Sequence, residues 1–376
     1  MTRIAVIGGG IAGLYLCDQM LDKSPNVKID LYEASEQLGG RMESEEVDGV
    51  PIEGGAGIIR STDQLTLQLM DELGVQCNFW LPNAARILYV DHNQVTPLKF
   101  NYPSIISSLP LSNSKTFLEV LDPLPHDQRI GLVIGSSYSE VLASGAAESI
   151  KYNNWDEFLY SEHEYGKPKE WKQLIDALTN KLTQVQIYLS TPVEAIQQYN
   201  KQWMIKDNLY DQVYVTCSPK QINIPIPMWK QIIKDYYFET NYLRVYSFFE
   251  NDIPSFDHIC TNLPVRRIIY ISPKVVMTVY TDGSDADVLN QLNQKELNQV
   301  IVDSLYVLGV TVPKPKKNVK FYWKNGIPSW RPMGVDLDLA LKYIQNPEPN
   351  LFFCGDRYSH HPGWIEGALY SVTQVI

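Results

Sequence analysis

The chain has 376 residues, 44% hydrophobic and 20% charged, ordinary globular usage that excludes a disordered or collagen-like chain and leaves room for two domains. Its 32 Lys and Arg against 43 Asp and Glu give a net charge of −11, unlike the basic footprint of a nucleic-acid binder and repelled by an anionic membrane. No apolar stretch approaches the roughly 20 residues of a membrane span, so no membrane or nucleic-acid partner is expected.

Arg3-Ile4-Ala5-Val6-Ile7 reads as a short buried strand. It starts without a secretory leader, so a soluble, cytoplasmic protein is expected. Gly8-Gly9-Gly10-Ile11-Ala12-Gly13 follows, and residues 14–21 continue with helical periodicity. This is G-x-G-x-x-G. Gly8 allows the tight turn, Gly10 lets backbone approach a pyrophosphate, and Gly13 lets helix pack on strand. Ile11 and Ala12 open the helix, whose free N–H groups and dipole favour phosphate. The next strand, Lys28-Ile29-Asp30-Leu31-Tyr32, delivers Glu33 and Ala34, with Glu33 twenty residues after Gly13. An acid there accepts hydrogen bonds from a ribose. Strand, loop, helix and acid together predict a dinucleotide site that suits NAD and FAD equally.

Leu38-Gly39-Gly40-Arg41-Met42 comes next, then Ile52-Glu53-Gly54-Gly55-Ala56-Gly57 and Arg60. Residues 171–182 read as a helix and 186–189 as a strand. Pro225, Pro227, Pro313 and Pro315 read as loop punctuation. Residues 243–249, 267–272 and 275–280 are β-rich aromatic runs, and 294–308 a helix. Leu351-Phe352-Phe353-Cys354-Gly355-Asp356 and Gly363-Trp364-Ile365-Glu366-Gly367-Ala368-Leu369 stand near the end. The five cysteines form no CxxC pair, so reduced, buried thiols are expected. His163, His258, His360 and His361 lack ligand spacing with acids, so no metal is expected.

This set resembles the FAD-dependent amine oxidase superfamily, which includes monoamine, polyamine and L-amino-acid oxidases, over the stretch from Ile4 to Ala368. The resemblance implies an α/β fold with a Rossmann-type, glutathione-reductase-like FAD-binding domain and a discontinuous α+β substrate domain. It implies an FAD-binding domain built from residues 1–75, 165–222 and 345–376, and a substrate domain from 76–164 and 223–344. By resemblance, Gly40 and Arg41 lie along the pyrophosphate and flavin edge, Gly55, Ala56 and Gly57 line the cofactor, residues 191–196 and 212–219 are strands, the second running to Pro219, and the backbone of Val193 in the first holds the adenine. Gly355 and Asp356 meet the ribityl–phosphate region. Gly363, Trp364, Ile365 and Ala368 open a helix whose N–H groups point at the flavin pyrimidine ring, where negative charge builds on reduction. Only Gly166 is left of the Gly-Gly pair the family usually carries before the 171–182 helix. Covalent flavin is not expected, because no cysteine lies between Cys260 and Cys354.

The resemblance implies hydride transfer from a C–N substrate to non-covalent FAD, which dioxygen reoxidises to give hydrogen peroxide. The amine must be neutral, and an apolar aromatic pocket disfavours the ammonium. Trp323, Trp330 and Trp364 are the candidate walls. Two positions depart from the family pattern. Arg244 falls where most members carry a lysine that holds a water at the flavin, and arginine is no substitute for lysine there. Arg60 lies just after the Gly55 segment, where a guanidinium fork suits a carboxylate. The substrate is therefore expected to be an amine or amino acid bearing an acid group. Two other readings stay open: a desaturase or isomerase of the same fold, and a flavoprotein that keeps FAD for structure or partner binding with little turnover.

Overall fold

Buried parallel sheets need strands that are apolar on both faces, and Ile4, Ala5, Val6 and Ile7 are each at most 4% exposed. In the computed structural model, which describes residues 1–81, 85–92, 94–99, 102–135, 145 and 164–376, Arg3–Ile7 is the centre of a five-stranded parallel sheet. The order is Gln186–Tyr188, Lys28–Tyr32, Arg3–Ile7, Gln212–Val215, Leu351–Phe353. The helices Ile11–Lys23, Lys172–Lys181 and Ile365–Thr373 share one apolar cluster that includes Leu14, Leu16, Leu174, Leu178, Leu369 and Val372.

The chain divides into two units: Met1–Trp80, Glu164–Phe238 and Val335–Ile376 form one, Leu81–His163 and Glu239–Gly334 the other. The second unit holds a seven-stranded sheet in the order Lys317–Trp330, Tyr237–Phe248, Val275–Asp282, Arg267–Ser272, Ile259–Thr261, Arg86–Asp91, Gln94–Leu98. Side chains alternate along a strand. Leu243, Val245 and Val279 therefore pack with Leu297 and Ile301 of the helix Gln294–Val307. Arg244 sits between Leu243 and Val245 in sequence, so alternation sends its side chain to the other face.

The helix Gln294–Val307 begins with a capping box, Asn293 accepting from Glu296 N while Glu296 accepts from Asn293 N. Two segments differ from expectation. Residues 191–196 form no strand: Pro192 has no N–H to give a ladder, and one bridge, Ala195 with Asn223, is made instead. Pro227 is not loop punctuation but sits in the first turn of the helix Pro227–Tyr236, where its missing N–H costs nothing. That helix belongs to the first unit. Its Trp229 stacks on Phe353 at 4.5 Å and donates from Nε1 to the Ile344 carbonyl at 3.0 Å.

Candidate active site

The carboxyl ends of three neighbouring strands in the first unit are tied together. Thr216 N donates to the Ile7 carbonyl, and Cys354 N to that of Val215. Thr216 Oγ1 reaches the Gly8 carbonyl at 3.0 Å. Ligands of open parallel sheets bind outside such carboxyl ends. Gly8 has φ +112°, and a Cβ there would lie 2.5 Å from Thr216 Oγ1. A Cβ on Gly13 would lie 2.0 Å from the Gly8 carbonyl oxygen, so helix and loop touch without space for a side chain. Gly10 is different: a Cβ there would meet nothing within 4 Å. Gly10 caps the helix Ile11–Lys23, with no side-chain cap and no acid in the first turn. This leaves an open backbone cradle at a positive helix end.

Other predicted residues gather around this loop. Glu33 accepts from Gly9 N at 2.7 Å and from Ser35 N at 2.8 Å, which fixes its carboxylate beside the loop. Gly39 N donates to the Gly9 carbonyl, and Gly40 (φ +55°) follows it past Gly10. Ala56 N donates to the Arg41 carbonyl, and a Cβ on Gly55 would lie 2.1 Å from that oxygen. Val193 is buried in the extended segment that leaves Glu33, whose carbonyl accepts from Thr191 N.

Asp356 joins two motifs. It is 6% exposed, forms an ion pair with Arg41, and accepts from Gly363 N at 3.0 Å. Burial raises the carboxyl's proton affinity. Arg41 above all, with Arg357 and the Gly363 N–H, outweighs burial and holds the group below the usual carboxylate range.

Gly363 (φ +82°) leads to Trp364, which caps the helix Ile365–Thr373 without a side-chain hydrogen bond. The Arg60 guanidinium carbon lies 3.8 Å from the centre of the Trp364 ring, and Arg60 is 4% exposed. The structure thus brings these two together as a cation–π pair. In the second unit, Arg244 is buried beside Tyr280 and Tyr242, Trp323 is half-buried, and Trp330 is buried with its carbonyl accepting from Gly145 N.

Glu366 is a functional side chain that sequence reasoning passed over. Its carboxylate accepts from Leu65 N, Thr66 N and Thr66 Oγ1, capping the helix Gln64–Glu72 rather than its own. The acid inside the glycine motif was the only signal. Among the described residues no three His, Cys, Asp or Glu converge as a metal site, and no helix is long and apolar enough to cross a membrane. His163 lies outside the described residues.

A family model described as flavin containing amine oxidoreductase matches residues 135–374, and one described as NAD(P)-binding Rossmann-like domain matches residues 6–73. The chain belongs to the flavin containing amine oxidoreductase family. This is a family of FAD-dependent oxidoreductases, and the mixed α/β architecture is the amine oxidase fold. A putrescine oxidase double mutant, from a redesign of cofactor binding, superposes with TM-score 0.78 at 14% identity over 99% of this chain and 98% of that one. A candidate protoporphyrinogen oxidase from Exiguobacterium sp. 255-15 superposes with TM-score 0.73 at 18% identity over 100% and 98%. By sequence, protoporphyrinogen oxidase 2, chloroplastic/mitochondrial, of Arabidopsis thaliana is 26% identical over 139 residues, 37% of this chain and 27% of that protein. Coproporphyrinogen III oxidase of Staphylococcus aureus is 31% identical over 77 residues, 20% of this chain and 16% of that protein. The chain thus matches only about a quarter or less of the length of those curated relatives.

Proposed function

We propose that this flavin amine oxidoreductase binds FAD non-covalently in the unit that contains the glycine loop and oxidises a small molecule by hydride transfer. In this reading the unit of residues 1–80, 164–238 and 335–376 is the FAD-binding domain and that of 81–163 and 239–334 the substrate domain, in place of the expected division into 1–75, 165–222 and 345–376 against 76–164 and 223–344. The observation that carries it is the cradle at Gly10. Open space lies there in front of an uncapped helix start, while Gly8 and Gly13 beside it admit no side chain. A cofactor's pyrophosphate suits such a cradle. Gly8, Gly10, Ile11, Ala12 and Gly13 would hold the phosphates, Glu33 the ribose, and Val193 the adenine. The uncapped start of Ile365–Thr373, with Gly363, Trp364, Ile365 and Ala368, would face the ring system. When bound, FAD would supply a hydride acceptor with dioxygen as its reoxidant.

The chain's own residues then decide what is oxidised. Arg60 stacked on Trp364 supports a substrate with an acid group. A guanidinium is the side chain whose planar donors match a carboxylate in a bidentate pair. An amino acid or acid-bearing amine meets this requirement. A desaturase reading of the same fold has one observation behind it: both curated relatives named above are porphyrinogen oxidases.

Purified protein with the absorption spectrum of an oxidised flavin is the expected starting result, with flavin released intact on denaturation. Anaerobic additions of polyamines, amino acids and a porphyrinogen then separate the readings. Bleaching by amino acids, with peroxide and ammonia after air is admitted, supports the amine reading. Bleaching by the porphyrinogen alone, without ammonia, supports the desaturase. Colourless protein after gentle purification overturns both.

A further inference from the structure

Two helix starts in the first unit have exchanged their charges. The first turn of the helix Ile365–Thr373 contains Glu366, an acid that would ordinarily neutralise the positive end of its own helix. That carboxylate is turned away. It accepts from Leu65 N, Thr66 N and Thr66 Oγ1 at 2.8–3.0 Å, at the start of the helix Gln64–Glu72. The segment before that helix lends a cation in return. The Arg60 guanidinium carbon lies 3.8 Å from the centre of the Trp364 ring, and Trp364 is the residue that caps Ile365–Thr373.

Backbone contacts fix this cation. Arg60 stands opposite Tyr165 where the strands Ile59–Arg60 and Tyr165–Lys167 pair, and its N–H donates to Asp63 Oδ2 at 2.9 Å. Two acids belong to the same cluster, and both are engaged: Asp63 by the Arg60 N–H, Glu366 by the start of Gln64–Glu72, whose dipole offsets its charge. An arginine stays protonated, and at 4% exposure its charge is weakly screened by water. The positive end lies on the ligand side of the five-stranded sheet. The strand Leu351–Phe353 runs out into Gly355 and Asp356, and Asp356 accepts from Gly363 N at 3.0 Å, one residue before Trp364. Ligands of open parallel sheets bind outside such carboxyl ends.

We propose that Arg60 sets the charge of the reduced cofactor: its fixed positive charge holds reduced flavin as an anion and raises the flavin's reduction potential. The inference rests on the reading above, in which the start of Ile365–Thr373 faces the ring system. The electron balance shows what a cation does there. A hydride brings two electrons and one proton from a substrate C–H bond to a ring nitrogen. The ring then carries one negative charge unless a second proton follows. A buried guanidinium stabilises that charge and makes the second proton unnecessary.

Reductive titration of the purified flavoprotein with dithionite, read against a redox dye at several pH values, tests the proposal. In mildly acidic buffer free FAD takes up two protons with two electrons, and its potential falls by about 60 mV per pH unit. The protein is expected to take up one, with a slope of about 30 mV. Arg60→Gln should show the two-proton slope and a potential lower by about 30 mV, a tenfold loss in the reduction equilibrium. Arg60→Lys keeps the charge and should recover most of both. A two-proton slope in the wild type, or an Arg60→Gln potential equal to the wild type's, overturns the proposal. So does an Arg60→Lys variant as impaired as Arg60→Gln, which would mean that packing rather than charge matters. If Arg60→Gln does not fold, the wild-type slope and Arg60→Lys decide. Colourless protein overturns the cofactor reading and this proposal with it. Yellow protein whose potential ignores Arg60 overturns this proposal alone.

Discussion

Single residues set the tolerances of the glycine loop. Alanine usually stabilises a helix relative to glycine by about 1 kcal/mol. At Gly13 the opposite is expected, because a Cβ would sit 2.0 Å from a backbone oxygen that cannot swing away. Gly13→Ala should therefore lower the melting temperature and the flavin content of purified protein together. Asp356 sets a pH dependence. Its native-state pKa lies below the ordinary carboxylate value because Arg41 and its other partners outweigh burial. The stability it contributes is thus fully present above the unfolded-state pKa of about 3.9 and is lost as pH falls through the lower native value. Asp356→Asn should cost about 1–3 kcal/mol in urea unfolding at pH 7, and the gap to wild type should close in strong acid. A gap that stays constant with pH would contradict the assignment.

Elements are held by side chains from far along the sequence. The helix Gln64–Glu72 receives no side-chain cap from Asp63, whose carboxylate accepts from Arg60 N instead. Glu366 supplies the cap, with three acceptor contacts between 2.8 and 3.0 Å. Glu366→Ala should destabilise the first unit by about 1–3 kcal/mol, since it strands donors at a helix start, and chemical denaturation measures this. Glu366→Gln should recover part of the loss, because its amide oxygen can still accept. The ends of most elements followed from local chemistry: Asn293 and Glu296 announce the helix Gln294–Val307, and strand Arg267–Ser272 follows its own β-branched run. Residues 191–196 and the helix from Pro227 did not. A proline reads alike in a loop and in a helix's first turn until the residues after it find something to bury. Trp229 finds Phe353, which lies 124 positions further on.

At the scale of the whole molecule, each unit is assembled from separated stretches of chain, three for the first and two for the second. Residues 223–238 show why composition alone does not draw such boundaries: they are as aromatic as the strands that follow, yet pack in the first unit through Trp229. A ligand that binds only the native state stabilises it by mass action, about 2.7 kcal/mol at one hundred times Kd. Stripping flavin from the protein should therefore lower its melting temperature, and added FAD should restore it in a concentration-dependent way. A melting temperature indifferent to FAD would count against the proposed cradle.

By itself the sequence determined the glycine loop, the strands Arg3–Ile7 and Lys28–Tyr32 on either side of it and the family, because these rest on local requirements. Positive φ, close backbone approach and alternating or continuous apolar runs each demand particular residues at fixed short spacings. Only the tertiary structure decided what the charged side chains face. Arg60, expected beside the Gly55 segment as a fork for a carboxylate, lies stacked on Trp364. Arg244, expected where the family carries a lysine, lies over the rings of Tyr280 and Tyr242. Glu366 looked like part of a helix start and caps another helix 300 positions away. Charged side chains are long and interact through space, so their partners are set by strand register and by which distant segments pack together. No local pattern in the sequence encodes that.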